Sequence, residues 1–183
     1  MQTLKEKFQK EIRPALQKEL ELSSIEATPK MVKITINTSS KDFKTDKDFL
    51  AKTKEWISLV AGQKPTERRS KSAIAAFNLR ENEVVGLKVT LRGDRMYDFY
   101  QKLVTIVLPR LKDFQGVSRT TFDKNGNYSL GLIEQIVFPE VEYDKIGRIQ
   151  GLQITISTSA TDAPSAEKLL EKLGMPFTKK DAK

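Results

Sequence analysis

The sequence predicts an α+β fold: an antiparallel β-sheet with helices packed on one face, a polar second face, and a long basic loop. Two segments, 31–37 and 86–92, alternate apolar and polar residues with the period of a half-buried strand. Segments with helical spacing lie between them, and an Asn-Gly pair at 125–126 is typical of a hairpin turn. With 183 residues, the chain is expected to form one domain, residues 1–183.

Four helices are predicted. Apolar residues at i, i+4 spacing indicate an N-terminal helix over residues 1–22, in which Pro14 is the one discordant residue. Gly62 is placed to end the second helix, and Asp94 is placed to cap the third, which should stop before Pro109. The other three helices are predicted over 46–60, 94–108 and 163–173, the last within a C-terminal helix and tail at 163–183.

The strands are predicted from alternation. In the first strand, Val32, Ile34 and Ile36 should face the core and Met31, Lys33, Thr35 and Asn37 should lie on the other face. In the second strand, the residues that should face the core are Leu87, Val89 and Leu91. Two further strands are predicted over 127–138 and 148–158. Residues 66–85 have no sustained period and are predicted as a protruding basic loop with a short ordered piece at 74–77.

Composition excludes several functional classes. The chain contains no Cys and no His, which removes the Cys-His and Ser-His-Asp nucleophiles and the Cys/His zinc sites. No glycine pattern matches a phosphate-cradling loop. The longest apolar stretch, 103–108, is far shorter than a membrane span, and the N-terminus does not have the pattern of a signal peptide. We therefore expect a cytoplasmic protein that is not an enzyme, needs no cofactor and does not enter a membrane.

The positive charge is concentrated in one part of the sequence. The chain has a formal net charge of +8, and residues 62–112 hold eleven basic and five acidic side chains. A concentrated basic segment favours binding to a polyanion, because Lys and Arg release condensed counterions from phosphates. The alternative is a generic solvated surface.

The polar faces of the first two strands favour RNA as that polyanion. Their outward residues include Lys33, Thr35, Asn37, Lys88, Thr90 and Arg92. Amide, hydroxyl and cationic groups on a sheet contact phosphates and 2′-hydroxyls of folded RNA. The faces carry no aromatic residue, which disfavours stacking of splayed bases. The predicted loop adds the basic residues Arg68, Arg69, Lys71 and Arg80.

Two metal-binding alternatives were weighed. Asp123, Asn125, Asn127 and Glu134 have the spacing of calcium-loop ligands, but Tyr128 stands where that geometry requires glycine, so a hairpin turn is favoured. An acidic run of Glu140, Glu142 and Asp144 has the residue types for a magnesium site on a strand face, but such runs are commonly solvated edges. No metal site is therefore predicted, and an enzyme using this acidic run is the competing hypothesis from another class.

Five blocks of the sequence resemble the bacterial large-subunit ribosomal protein of the L-five family, the 5S rRNA binder. They are GQKP at 62–65, GLKVTLRGDRM at 86–96, PRLKDFQG at 109–116, FDKNGNYSLG at 122–131 and EQIVFPE at 134–140. The resemblance implies a structural, RNA-binding role in the central protuberance of the large ribosomal subunit, where the protein helps attach 5S rRNA to the large-subunit rRNA.

The resemblance also implies site residues. Asn37, Gln63 and Thr90 match the family positions that hold 5S rRNA, with Lys33, Lys64, Lys88 and Arg92 as phosphate neighbours. The loop at 66–85, with Arg68, Arg69, Lys71 and Arg80, corresponds to the family's contact with the T-arm of the P-site tRNA. Residues 110–146 inherit a contact with small-subunit ribosomal protein S-thirteen at an intersubunit bridge.

The chain departs from the family pattern at three places. Residues 38–42 read TSSKD where the family continues with a glycine-rich turn, Ser72 replaces a common basic residue, and Ala76 replaces a common glycine. Two RNA-binding alternatives therefore accompany the ribosomal hypothesis: a general binder of structured RNA outside the ribosome, and a binder of single strands. The absence of aromatic residues from the strand faces disfavours the second.

Overall fold

The computed structural model of the chain describes residues 3–142 and 146–178. The strands are β1 (Met31–Ser39), β2 (Thr66–Arg69), β3 (Val84–Leu91), β4 (Tyr128–Leu132) and β5 (Leu152–Thr158). They form one antiparallel sheet in the order β2-β3-β1-β5-β4. The α-helices are α1 (Leu4–Lys7), α2 (Arg13–Glu19), α3 (Lys47–Ala61), α4 (Asp94–Lys102) and α5 (Ala163–Lys172). The predicted α+β class is confirmed.

The chain divides into two compact units. Unit 1 consists of Met1–Ile34, Arg92–Leu130 and Thr155–Lys183, and unit 2 of Thr35–Leu91 and Gly131–Ile154. Three of the four boundaries between the units fall within β1, β4 and β5, and the fourth follows the end of β3. The organisation as a single domain, which we expected from chain length, stays a prediction.

In unit 1, the N-terminal helix is interrupted next to Pro14. A π-helical turn at Phe8–Ile12 joins α1 to α2 and is closed by the Arg13 N–H, which donates to the Phe8 carbonyl. Pro14 then falls in the first turn of α2, where its missing N–H costs least. Phe8, Ile12 and Leu16 are buried, as the spacing predicted.

The helix that starts at Asp94 does not stop before Pro109, contrary to the prediction. It continues through a π-helical turn at Leu103–Val107 and a 3-10 turn at Leu108–Arg110. Proline is tolerated in the first turn of such a helix, because no hydrogen bond is required from its nitrogen there. The residue preceding the helix is Gly93, with φ +60°, so Asp94 is the first helical residue rather than the cap.

The remaining local signals of unit 1 are confirmed. Asp162 caps α5 by accepting a hydrogen bond from the Ser165 N–H at 3.2 Å. The Asn-Gly pair forms a tight turn in which Gly126 has φ +71°, a backbone conformation that glycine adopts readily. Phe122 and Tyr128 pair on either side of this turn.

Unit 2 places α3 against β3. Asp46 caps α3 by accepting the Phe49 N–H at 2.8 Å, and Gly62 ends the helix with φ +63°, as predicted. Four residues of the helix that share one face are buried: Phe49, Thr53, Trp56 and Val60. In β3, Leu87, Val89 and Leu91 are at most 1% exposed, which confirms the second alternating pattern. These residues form the core of the unit.

The first strand departs from the predicted alternation at its start. Met31 is buried and Val32 is 38% exposed, the reverse of the prediction, whereas Ile34 and Ile36 are buried as expected. The phase of the pattern therefore changes between Met31 and Ile34. Hydrogen bonds in both directions between Lys30 and Ser159 fix the backbone just before this change.

The predicted strands at 127–138 and 148–158 are both too long. Only Tyr128–Leu132 and Leu152–Thr158 are strands, and a 3-10 turn occupies Gln135–Val137. The buried side chain of Gln135 accepts the Gln150 N–H at 2.5 Å and donates to the Arg148 carbonyl at 2.7 Å. A side chain thus takes the backbone hydrogen bonds that a neighbouring strand would otherwise provide.

Residues 66–85 are not one long loop, which corrects the prediction. Thr66–Arg69 form β2, the edge strand, in antiparallel pairing with β3, and only the part between them projects. The sequence TERR shows no apolar alternation. It forms a strand because its backbone is hydrogen bonded to β3, and not because its side chains are buried. We call residues 66–91 the hairpin arm.

Candidate nucleic-acid interface

The register of the hairpin arm sorts its side chains by face. Thr66 pairs with Lys88 and Arg68 pairs with Gly86. Directly paired residues of an antiparallel ladder share a face, so Arg68 lies on the same side of the sheet as Lys88. Glu67 pairs with fully buried Leu87 and therefore lies on the opposite side.

Strand β1 continues the same polar side. Thr35 and Asn37 are half-buried, and they alternate with buried Ile34, Ile36 and Thr38. A Cβ atom at Gly86 would lie 3.5 Å from the Cβ of Ser39, so the polar positions of β1 and β3 project on one side. We call this surface of unit 2 the polar face. It consists of Thr35, Asn37, Ser39, Thr66, Arg68, Lys88 and Thr90.

Gln63 joins the end of α3 to β3. The left-handed turn at Gly62 redirects the chain, and the Gln63 side-chain amide donates to the Thr90 carbonyl at 3.4 Å. Gln63 and Thr90, two of the predicted site residues, are thus brought together. Lys64 is exposed and lines a groove with Pro65, Thr66 and α3 residues such as Ser58.

Two predicted site residues belong to the other unit. Lys33 is half-buried on β1 and Arg92 is exposed just after β3, and both are part of unit 1. Asn37, Gln63, Lys64, Lys88 and Thr90 are all in unit 2.

The four basic residues predicted in the loop at 66–85 are not equivalent. Arg68, Lys71 and Arg80 are exposed, and no carboxylate among residues 3–142 and 146–178 pairs with their side chains. Arg69, in contrast, pairs with Glu67 at 3.1 Å.

Glu67 holds a second cation as well. Its carboxylate lies 2.5 Å from the Lys54 ammonium, and this hydrogen bond, together with the attraction of Lys54 and Arg69, holds the pKa of Glu67 below its ordinary value. Arg69 is therefore partly neutralised, whereas Arg68, Lys71 and Arg80 have no ion pair with a carboxylate of the described residues.

Two backbone hydrogen bonds close the tip of the hairpin arm. Ile74 and Leu79 exchange two backbone hydrogen bonds of 2.9 and 3.1 Å around a 3-10 turn at Ala75–Phe77. The Lys44 ammonium donates to the carbonyls of Phe77 and Asn78. Phe77 is 74% exposed. Neither role is predicted from the sequence, because Lys44 is more than thirty residues away from the tip and the prediction places Phe77 only in a short ordered piece at 74–77.

The hydrogen bonds of the turn at 123–127 argue against the calcium-loop alternative. The Asp123 carboxylate accepts the N–H groups of Asn125 at 2.9 Å and Asn127 at 2.7 Å, and the Asn127 side-chain amide at 2.8 Å. These bonds, the Asn127 side chain first, hold the pKa of Asp123 below its ordinary value. The carboxylate is occupied in fixing the turn.

The structure describes only part of the acidic run Glu140, Glu142 and Asp144. Asp144 lies outside the described residues, whereas Glu140 is half-buried and Glu142 is exposed. In the part of the chain that the structure describes, no three acidic residues are grouped so that they could hold a metal ion. In the same part, no helix is long and apolar enough to cross a membrane.

The polar face presents amide, hydroxyl and cationic side chains, which are the groups that RNA-binding proteins use. Amide and hydroxyl groups reach 2′-hydroxyls and base edges, and unpaired cations at the border meet phosphates. The chain belongs to the ribosomal protein L5 family. The model for ribosomal protein L5 matches residues 24–80, and the model for the C-terminus of that ribosomal family matches residues 84–177, more than half of the chain.

Membership defines the general function. The protein is a structural constituent of the large ribosomal subunit and binds rRNA, and its family is a structural family rather than an enzyme family. The resemblance found in five sequence blocks is confirmed by matches that cover all five.

Proposed function

We propose that the protein binds 5S rRNA through its polar face and helps attach it to the large-subunit rRNA in the central protuberance. The observation that carries this proposal is the grouping of three residues within one unit. Gln63 is hydrogen bonded to the backbone of Thr90, and Asn37 lies on the same polar face. Lys88 lies between Gly86 and Thr90 on β3, where a phosphate of the bound strand would meet it.

In this proposal the hairpin arm faces the P-site tRNA of the cytoplasmic ribosome. Its support is the exposure of Arg68, Lys71 and Arg80, which leaves three cations available for a phosphate backbone. The closed tip keeps the backbone of Ile74–Leu79 in one arrangement.

Residues 110–146 would face small-subunit ribosomal protein S-thirteen. Within this range Ile133 is 85% exposed and is followed by exposed Glu134. An exposed apolar residue beside a carboxylate suits a basic protein better than RNA, because the carboxylate repels phosphates.

The test is a binding titration of folded 5S rRNA with the Asn37→Ala/Gln63→Ala/Thr90→Ala variant. Each lost hydrogen bond costs about 1 kcal/mol, so the triple variant should bind roughly a hundredfold more weakly. Gln101→Ala/Thr105→Ala, which alters two exposed polar residues of unit 1, should bind like the wild type. Circular dichroism checks that both variants are folded.

The second arm of the titration uses an unrelated structured RNA of similar length. The proposal requires that the wild-type protein bind 5S rRNA more tightly than this RNA. Equal affinity would favour the alternative, a general binder of structured RNA outside the ribosome. Unchanged affinity of the triple variant for 5S rRNA would exclude the polar face as the binding site.

A further inference from the structure

A groove opens where the tip of the hairpin arm meets the end of β1. Its floor is apolar and is formed by Phe77, Leu79, Val84 and Val85. Its volume is about 310 Å³, which is at the small end of the range for ligand pockets. The whole groove belongs to unit 2. We call it the Ser39 groove.

The rim of the Ser39 groove is polar and positively charged. Ser39, Ser40 and Lys41 form it, in the segment where the sequence departs from the glycine-rich turn of the family. Lys41 is exposed, and no carboxylate in the described ranges pairs with it. The neighbouring Asp42 carboxylate is bound to Arg148 at 2.7 Å, so it does not neutralise Lys41.

The groove has a fixed wall. Lys44 also lines it, but its ammonium already donates to the carbonyls of Phe77 and Asn78. Lys44 therefore holds the tip of the arm beside β1 and leaves Lys41 as the cation for a ligand. No Asp or Glu is among the lining residues that the structure describes. An anionic ligand with an apolar part fits this combination of rim and floor.

The Ser39 groove is continuous with the polar face. Ser39 follows Asn37 by two residues on β1 and belongs to both surfaces. Gly86 lies beside it, and even a methyl group there would come within 3.0 Å of the Thr38 carbonyl. The close packing of β1 on β3 at this point places Ser39 at the border between the polar face and the groove.

We propose that the Ser39 groove takes one unpaired nucleotide of the RNA bound on the polar face. The base lies against Phe77 and Leu79, and its phosphate meets the Lys41 ammonium and the Ser39 hydroxyl. An exposed aromatic ring beside a cation is the combination that binds a base and its phosphate. This inference rests on the proposed function and adds Lys41 and Phe77 to the residues proposed to bind 5S rRNA.

The experiment compares Lys41→Gln and Phe77→Ala with Lys124→Gln, a matched change at an exposed lysine of unit 1. Folded 5S rRNA is titrated over a salt series without tRNA, so a contact of the arm with tRNA cannot contribute. Lys41→Gln should reduce the slope of log affinity against log salt by about 0.7–0.9, the value of one phosphate contact. Phe77→Ala should weaken binding roughly tenfold, because base stacking on an aromatic ring is lost.

Probing of 2′-hydroxyl reactivity on the same complexes locates the nucleotide. The wild-type protein should protect one unpaired nucleotide that Phe77→Ala leaves reactive, while Lys124→Gln gives the wild-type pattern. The inference is overturned if both groove variants match Lys124→Gln in slope, affinity and protection, as they would if the groove received a protein. The proposed function would survive that result, provided that the Asn37/Gln63/Thr90 variant still loses affinity.

Discussion

Two sets of basic residues differ in what surrounds them. Arg119, in unit 1, is 21% exposed and pairs with Glu167 and, at 3.6 Å, with Glu171. Its guanidinium also donates to the Thr178 carbonyl at 2.9 Å and lies 5.0 Å from the centre of the Phe177 ring. This cation therefore contacts both α5 and residues 177–178.

The basic residues of the hairpin arm have the opposite environment. Arg68, Lys71 and Arg80 are exposed, and in the described part of the chain no carboxylate pairs with their side chains. The comparison indicates that net charge alone does not locate a binding surface, because a paired cation is less available to a phosphate than an unpaired one. We therefore expect the unpaired cations to bind RNA and the paired cations to stabilise the fold.

The largest effect should come from removing the free cations together. In Arg68→Gln/Lys71→Gln/Arg80→Gln/Lys88→Gln, four phosphate contacts are lost, so the salt slope for an unrelated structured RNA should fall by about 3. Affinity near 0.1 M salt should fall by roughly a hundredfold or more. Filter binding over a salt series measures both quantities.

The control for that variant is Arg119→Gln, assayed under conditions in which it is folded. Its salt slope should equal that of the wild type, because Arg119 is already paired. The free energy of unfolding of the quadruple variant should stay within about 0.5 kcal/mol of the wild type, as is usual for exposed positions. An unchanged salt slope in the quadruple variant would show that these four exposed cations do not contact RNA phosphates.

Stability should show the reverse order. Arg119→Ala removes an ion pair, a hydrogen bond to Thr178 and a ring contact, and should lower the free energy of unfolding by about 2 kcal/mol. Arg68→Ala should change it by less than about 0.5 kcal/mol. Urea denaturation measures both values, and the comparison fails if the two variants are equally stable.

In this protein, the sequence predicts features with local partners better than features with distant partners. Gly62 was predicted as the end of α3, because a terminal glycine acts within one turn of its helix. The turn at Asn125 and Gly126 was found for the same reason. Strand β2 was missed, because it is fixed by backbone hydrogen bonds to β3 and carries no apolar pattern.

The candidate site was anticipated in part. Alternation placed Asn37 and Thr90 on a polar face before any comparison, and the structure keeps both half-buried on that side. Which arginines are free was not predictable, because Arg119 and Glu167 are 48 positions apart in sequence. The groove at Ser39 was hidden for the same reason, since its wall depends on Lys44 reaching across to Asn78.

Arg69 is the intermediate case and gives the smallest expected effect. It lies on the arm, yet its guanidinium is 3.1 Å from Glu67, which also binds Lys54 at 2.5 Å. Glu67→Gln should release both cations, so the salt slope for RNA should become steeper by about 0.7–0.9 for each cation that reaches a phosphate. Glu55→Gln, at an exposed glutamate of α3, is the matched control and should leave the slope unchanged.

The pH dependence of Glu67 gives an independent reading of the same pair. Its pKa is lowered in the folded protein, first by the hydrogen bond from Lys54, so folding favours the ionised carboxylate. The resulting stability is present above the pKa of the unfolded chain and is lost as pH falls through the lower, folded-state pKa. The difference in free energy of unfolding between wild type and Glu67→Gln should therefore shrink on acidification. A difference that is independent of pH would mean that Glu67 does not hold Lys54 and Arg69, and that Arg69 belongs with the free cations of the arm.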